Sequence, residues 1–310
     1  MLNADKILLD FYRYYPSDHW IYKATMLKNI LENYEKVENI LNLEIIDVIE
    51  NDYKKMMKAE IHFAYFHMVE ALFELIFALE KLDDKKLWLH LSLSRGYQLK
   101  KRIPKIAKGE LDFLDLIITL RGGYELPFIQ YVFFFIKRFP VKMLINKEET
   151  LEINQEILEK NFEFIKKALK ILANDYQNRL DYNSYKHSLR YFHYPVEIEL
   201  GKLSKEEKGT PLIKFGAEDS FTFLCSNKEC VDLKTKGFDW KQDYKKIILC
   251  HDLIMSIINT RKAILLRERD SKVALFHERD ITEIYQQDHT LAEVKTTLFV
   301  RKKIKNPSNC

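Results

Sequence analysis

The chain is predicted to fold as a mainly α protein, a multi-helix bundle of roughly eight to ten helices with a small antiparallel β insertion near 196–225. Three observations predict it. Glycine and proline are scarce, at 8 and 7 in 310 residues, which disfavours a turn-rich sandwich or barrel and favours long helices. Apolar residues recur at helical spacing through most of the chain before Pro195, and period-two alternation is concentrated after it. With 47% hydrophobic and 13% aromatic residues the chain can bury a substantial core. The 50 basic and 46 acidic residues leave a net charge of only +4, so a nucleic-acid partner has to be argued from a local basic face.

Residues 3–14 read as a short helix stopped before Pro16, and Ser17 or Asp18 can cap a second through Ile21, Met26, Leu27, Ile30 and Leu31. A third begins near Leu43 and continues past Asp52 to Leu82. From Glu60 onward it is the most hydrophobic helix of the protein, so a central, covered position is expected. Its exceptions are informative. Glu60, His67 and Glu74 recur every seven residues, with Glu70 one turn from both His67 and Glu74, and together they make one polar stripe that needs partners if buried. After Asp83 and Asp84, Leu87, Leu89 and Leu91 alternate with Trp88, His90 and Ser92, which predicts a short strand or a packed loop.

Helices are next predicted at 97–107, 110–120 and 126–137, separated by Gly109 and by Arg121-Gly122-Gly123. From Glu148 a strong helical pattern through Leu151, Ile157, Leu158, Phe162, Ile165, Leu169 and Leu172 continues straight into 175–193, and Pro195 ends it. Beyond it, 196–200 alternates with period two, and 212–215 and 221–224 read as strands around the turn at 216–219. A long helix from about Trp240 to Arg269 follows. The basic tail with Arg301, Lys302, Lys303 and Lys305 is expected to fray. Residues 1–195 are expected to form the helical domain, with 196–310 packed on the same domain.

Several function classes are excluded or disfavoured. The glycines supply neither a Walker nor a Rossmann pattern. The N-terminus lacks the features of a signal peptide, and the apolar window 126–139 is short for a bilayer span and carries Gln130, Lys137 and Arg138, so no membrane partner is expected. Four cysteines, Cys225, Cys230, Cys250 and Cys310, do not make a disulfide framework in a chain this long, and a cytoplasmic location is expected.

The candidate for chemistry is 175–193. Arg179, Asn183, His187 and Arg190 are spaced by four, four and three, so they share one helical face, and His187 titrates near neutral pH. His187 can serve as acid and base, Arg179 and Arg190 can hold a phosphate, and Asn183 can orient the histidine or the scissile nucleotide. Lys186, with His67 and Glu70 of the polar stripe, completes the predicted substrate contacts. RNA cleavage by its own 2′-hydroxyl needs little else, because the nucleophile is already in the substrate, and neither metal nor cofactor is expected. The same residues support a non-enzymatic reading, in which the acidic stripe and the basic face tie two helices together in an interaction protein.

Three further constellations carry ligand or binding residue types. Glu60, His62, His67, Glu70 and Glu74 are metal-ligand types, but the Glu-x-x-His order of carboxylate-bridged bundles occurs only reversed, as His67-Met-Val-Glu70. Cys225-x4-Cys230 and Cys250-His251 have neither finger nor ribbon spacing and read as ordinary thiols. Lys100, Lys101, Arg102, Lys105 and Lys108 cluster on one helix near Tyr97, a basic face suited to phosphates.

An all-α chain whose late helix ends in a polar Arg/Asn…His element resembles the HEPN superfamily of small helical domains, many of them RNases of toxin and phage-defence systems. The segment Asn183-Ser-Tyr-Lys-His187 is similar to Asn-x-x-Lys-His elements of HEPN-like bacterial proteins, and the likeness covers about 55–195. Seven residues separate Arg179 from His187, where the family's motif has four to six, and Leu180 stands where a polar residue is common. The resemblance implies a helical protein that binds or cleaves RNA; RNA and a second copy of the chain are the expected partners, and a site that lines an open cleft across a two-fold homodimer interface would favour the enzymatic reading.

Overall fold

The computed structural model describes residues 4–37, 50–93, 96–120, 123–134, 141–144, 150–186, 191–192, 198–200, 213–215, 219–226, 230–266, 275–276 and 293–299. The protein is mainly helical, as its low glycine and proline content predicts. Helix α1 (Ala4–Tyr14) stops before Pro16, and α2 (Ser17–Glu32) starts just past it. After α3 (Tyr34–Val37) comes α4 (Glu50–Leu79), apolar nearly all round. Residues Tyr53–Leu79 are long and apolar enough to cross a bilayer, yet 78% of their most apolar window is buried inside the protein, as in a core helix.

The alternating leucines at 87–91 lie not on a strand but on helix α5 (Leu87–Ser92). A 3₁₀ turn at Asp84–Lys86 leads directly into it, the Leu87 N–H donating to the Asp84 carbonyl. Of its leucines only Leu87 is fully buried, so period two carries little information over six residues. Helix α6 (Gly96–Ala107) ends in a Schellman motif: the Gly109 N–H donates to the Ile106 carbonyl and the Glu110 N–H to that of Lys105. Gly109 holds φ at +94°, which is why glycine stands there.

The helices expected at 110–120 and 126–137 are mostly absent. A 3₁₀ turn at Asp112–Leu114 is followed by a hairpin of β1 (Ile117–Leu120) and β2 (Tyr124–Pro127), and α7 (Phe128–Phe133) is one short, wholly buried helix. β-branched Ile117, Ile118 and Thr119, with Gly123 at φ +77° in the turn, favour the hairpin. A second hairpin, β3 (Val141–Leu144) with β4 (Thr150–Ile153), replaces the expected helical start at Glu148. Helix α8 (Gln155–Gln177) begins only where Asn154 caps it, its side chain accepting from the Ile157 N–H at 2.9 Å.

Helix α9 (Leu180–Lys186) and β5 (Tyr191–Phe192) follow. The β insertion is real and larger than expected. A hairpin of β6 (Ile198–Leu200) and β7 (Ile213–Phe215) precedes β8 (Ser220–Ser226) and β9 (Cys230–Gly237). After α10 (Trp240–Leu266), β10 (Glu293–Phe299) closes an antiparallel sheet of order β10-β9-β8-β5. The tail expected to fray, 301–310, lies outside the described residues.

Two compact units interleave along the chain. The first comprises Met1–Thr25, Ala64–Asn178 and Gln242–Gln286, the second Met26–Phe63, Arg179–Lys241 and Gln287–Cys310. The first unit is a helix assembly in which α6 and α8 are neighbours. Several of its core polar groups are paired. Asn161 donates to the Phe276 carbonyl at 3.0 Å and accepts from the Phe276 N–H, and Ser256 and Thr260 of α10 both donate to the Phe133 carbonyl at the end of α7. The second unit sets α9 against β8 and β5, with Tyr182 and Phe223 buried.

Candidate functional site

The predicted single helix over 175–193 is interrupted. The Asn178 N–H closes back on the Asp175 carbonyl at 3.0 Å, ending α8, and the Asn183 N–H donates to the Arg179 carbonyl at 2.9 Å, starting α9. Asn178 itself sits at φ −88°, ψ 23°, a bridge conformation that leaves the helical path. By Tyr191 the chain is already in a strand, paired with Phe223. Arg179 is therefore the capping residue of α9, with Asn183 one turn on and Lys186 in the last turn.

Burial sorts the residues of α9. Tyr182 and Ser184 are buried, Arg179, Asn183 and Tyr185 are half-buried, and Lys186 is exposed. The Tyr185 ring stacks on Phe63 at 4.0 Å between centroids, and its hydroxyl donates to Glu60 at 3.3 Å. The Lys186 ammonium lies 4.9 Å from the centre of the Tyr182 ring. Glu60, first of the acidic stripe, thus reaches α9 through a tyrosine. From its cap onward α9 carries a guanidinium and a carboxamide one turn apart, followed by an ammonium; residue types of that kind can hold an oxyanion by charge and hydrogen bonds.

The remaining predicted residues fall elsewhere. His187 and Arg190 lie outside the described residues. His67 and Glu70 belong to the first unit. There the His67 ring stacks on Trp20 at 4.4 Å with 6° between planes, while His19 meets the same indole edge-on and Lys23 lies 5.7 Å from it. Glu74, the stripe's last member, adds to the burial that raises the pKa of Tyr15.

Among the described residues no three His, Cys, Asp or Glu side chains come together as a ligand set. Cys225 stands opposite Asp232 and Cys230 opposite Phe299, so register does not pair the two thiols across strands. Cys250 is fully buried, and burial pushes its thiol up.

Two buried polar centres of the first unit were not singled out in the sequence. In one, Asp175 accepts from the Tyr65 hydroxyl at 2.7 Å and from the Lys246 ammonium at 2.8 Å. In the other, Arg261 donates to Asp84 at 3.1 Å and lies 3.9 Å from the centre of the Tyr131 ring, while the Tyr131 hydroxyl donates to the same carboxylate at 2.8 Å. Lys246 and Arg261 sit within the apolar face of α10, beside Ile247, Ile254, Ile257 and Ile258, and a cation inside an apolar stripe was the available signal.

Comparison of the chain with protein-family models, with curated proteins and with solved structures finds no match in any of the three.

Proposed function

We propose that the protein acts on RNA at α9 and the residues that follow it, as a HEPN-like, metal-independent endoribonuclease of the cytoplasm. His187 is the acid and base, Arg179 and Arg190 hold the scissile phosphate, Asn183 orients the histidine or nucleotide, and Lys186 adds a cation. The observation that carries this reading is that α9 opens on Arg179 and presents Asn183 one turn later, both half-buried rather than sealed, immediately before His187. The family resemblance adds a defence or toxin setting and a second copy of the chain as partner.

The test is incubation of the purified full chain with total cellular RNA in chelator, beside His187→Ala. The wild type is expected to cleave and the variant to lose at least about 100-fold in rate, the usual scale of general acid and base catalysis. Equal cleavage by both, or none by either, would sink the proposal. A second reading, a non-enzymatic helical interaction protein, draws on Tyr185, whose contacts with Glu60 and Phe63 show a polar residue of α9 joining helices. If that reading holds, Arg179→Ala lowers the melting temperature and no RNA is cleaved.

A further inference from the structure

We infer that the outer face of α6 is a separate binding site for single-stranded RNA, in which a base stacks on Tyr97 and the phosphate backbone follows a row of lysines. The inference concerns the first unit and does not depend on the activity proposed for α9.

The site follows from the register of α6. Leu99, Ile103, Ile106 and Ala107 are its buried side. Tyr97, Lys101, Lys105 and Lys108, at spacings of four, four and three, run down the opposite side and are all exposed. At about 1.5 Å of rise per residue the three lysines spread their ammoniums along about 10 Å of helix. Lys100 stands next to this row. Lys170 extends it from α8: its ammonium lies 3.6 Å from where a Cβ on Gly109 would stand, just past the end of α6.

Arg102, which the sequence grouped with these cations, has a different task. It forms a two-pronged ion pair with Glu80 and lies over Phe77, 3.9 Å from the ring centre, with Phe113 at 5.2 Å. Fixed there, it builds the wall of an open groove of about 440 Å³ that Tyr97, Lys101, Lys105 and Asp112 also line. Among the described residues Lys100, Lys101, Lys108 and Lys170 form no ion pair, and Lys105 has only a solvent-exposed one with Glu110 at 3.6 Å. In the groove itself Lys101 and Lys105 stand with Glu110 and Asp112, and Lys100, Lys108 and Lys170 add their charge from outside its lining. The local surplus is positive although the whole chain is nearly balanced.

Tyr97 decides the kind of polyanion. Its ring is 69% exposed at the head of the lysine row. A single strand can offer an unstacked base to such a ring while its phosphates meet the lysines. In a duplex the bases are already stacked with one another, so Tyr97 gains nothing there. An acidic peptide would use the lysines and leave the ring idle.

Fluorescence polarisation with a labelled single-stranded RNA, in the His187→Ala full chain so that the probe stays intact, tests the site. Lys101→Glu/Lys105→Glu is expected to weaken binding at least tenfold, with Lys100→Glu/Lys108→Glu as a second reading of the same row. Tyr97→Ala is expected to weaken the single strand about tenfold and to leave binding of an RNA duplex unchanged. Unaltered binding by both charge-reversed forms overturns the site. Equal loss of single strand and duplex in Tyr97→Ala overturns the stacking role, and displacement of the RNA by polyglutamate at comparable concentration would make the face a peptide dock. Failure of cleavage in the wild type bears on α9 alone, whereas these outcomes bear on α6 alone.

Discussion

Arg261 sits in an environment that its side chain disfavours. It is wholly buried, its Nη1 donates to Asp84, and among the described residues its Nε and Nη2 find no hydrogen-bond partner, nor does the nearby Tyr12 hydroxyl. Burial, with the Asp84 charge behind it, raises the pKa of Tyr12. The two halves of the ion pair are not equivalent, because the Asp84 side chain keeps 27% of its surface and the Arg261 side chain none. Arg261→Met removes two unsatisfied donors and leaves a carboxylate that water can reach, so it is expected to cost about 1–2 kcal/mol, less than the ~3–5 typical of breaking a buried pair. Asp84→Ala strands a sealed guanidinium and is expected to cost about 3 kcal/mol or more. Urea unfolding of both variants checks the order, and the reverse order would overturn the account.

His251 carries a pH dependence at the same scale. Its Nδ1 lies 3.3 Å from Asp252 and its Nε2 2.8 Å from Asp18 of α2. The hydrogen bond to Asp252, then that to Asp18, raise its pKa above the ordinary 6.5 against the opposing effect of burial. A group whose pKa is raised by folding contributes stability that is fully present below its unfolded value. That contribution fades as pH rises through the folded-state value. The melting temperature of the wild type is therefore expected to fall relative to His251→Gln as pH rises from below 6.5 through the folded-state value. Parallel curves for the two proteins would show that the contact contributes nothing.

At the scale of the element, helix ends matter more than helix interiors. The end of α6 requires a positive φ at Gly109, and the ammonium of Lys170 lies over that glycine. Gly109→Ala is expected to destabilise by about 1 kcal/mol through backbone strain, since the site leaves room for the methyl group itself. Thermal unfolding reads it directly. Helices α1, α6 and α10 were legible because each has an apolar stripe at helical spacing, with Pro16 and Gly109 as clear stops for the first two. The hairpins at 117–127 and 141–153 were not. Short runs such as Ile117–Leu120 fit a helix face and a strand equally well, and hydrogen bonding to a second strand settles which forms. The interruption between α8 and α9 was hidden for a related reason: apolar spacing continues through Asn178, while the backbone turns away.

At the scale of the molecule, a net charge of +4 gives no field strong enough to hold RNA by itself, so affinity has to come from local rows of cations. Binding at α6 is accordingly expected to depend on salt with a log–log slope of about −2, the value for about three phosphate contacts to a single strand. A salt titration of the polarisation signal measures it, and a slope near zero would remove the electrostatic role of the lysines. The two units, each assembled from three separate stretches of chain, could not have been drawn from sequence order.

The sequence by itself determined the helical class, the central burial of α4, the presence of an antiparallel insertion and the lysine face of α6, because these depend on composition and on periodicity within one segment. Only the tertiary structure decided that Arg102 is consumed by Glu80 and two aromatic rings, that Lys170 joins the row from α8, and that Glu60 reaches α9 through Tyr185. It also showed that β5 and β10, far apart in the chain, belong to one sheet. Each of these pairs residues distant in sequence, and spacing along one segment carries no information about which partner a side chain meets across the core.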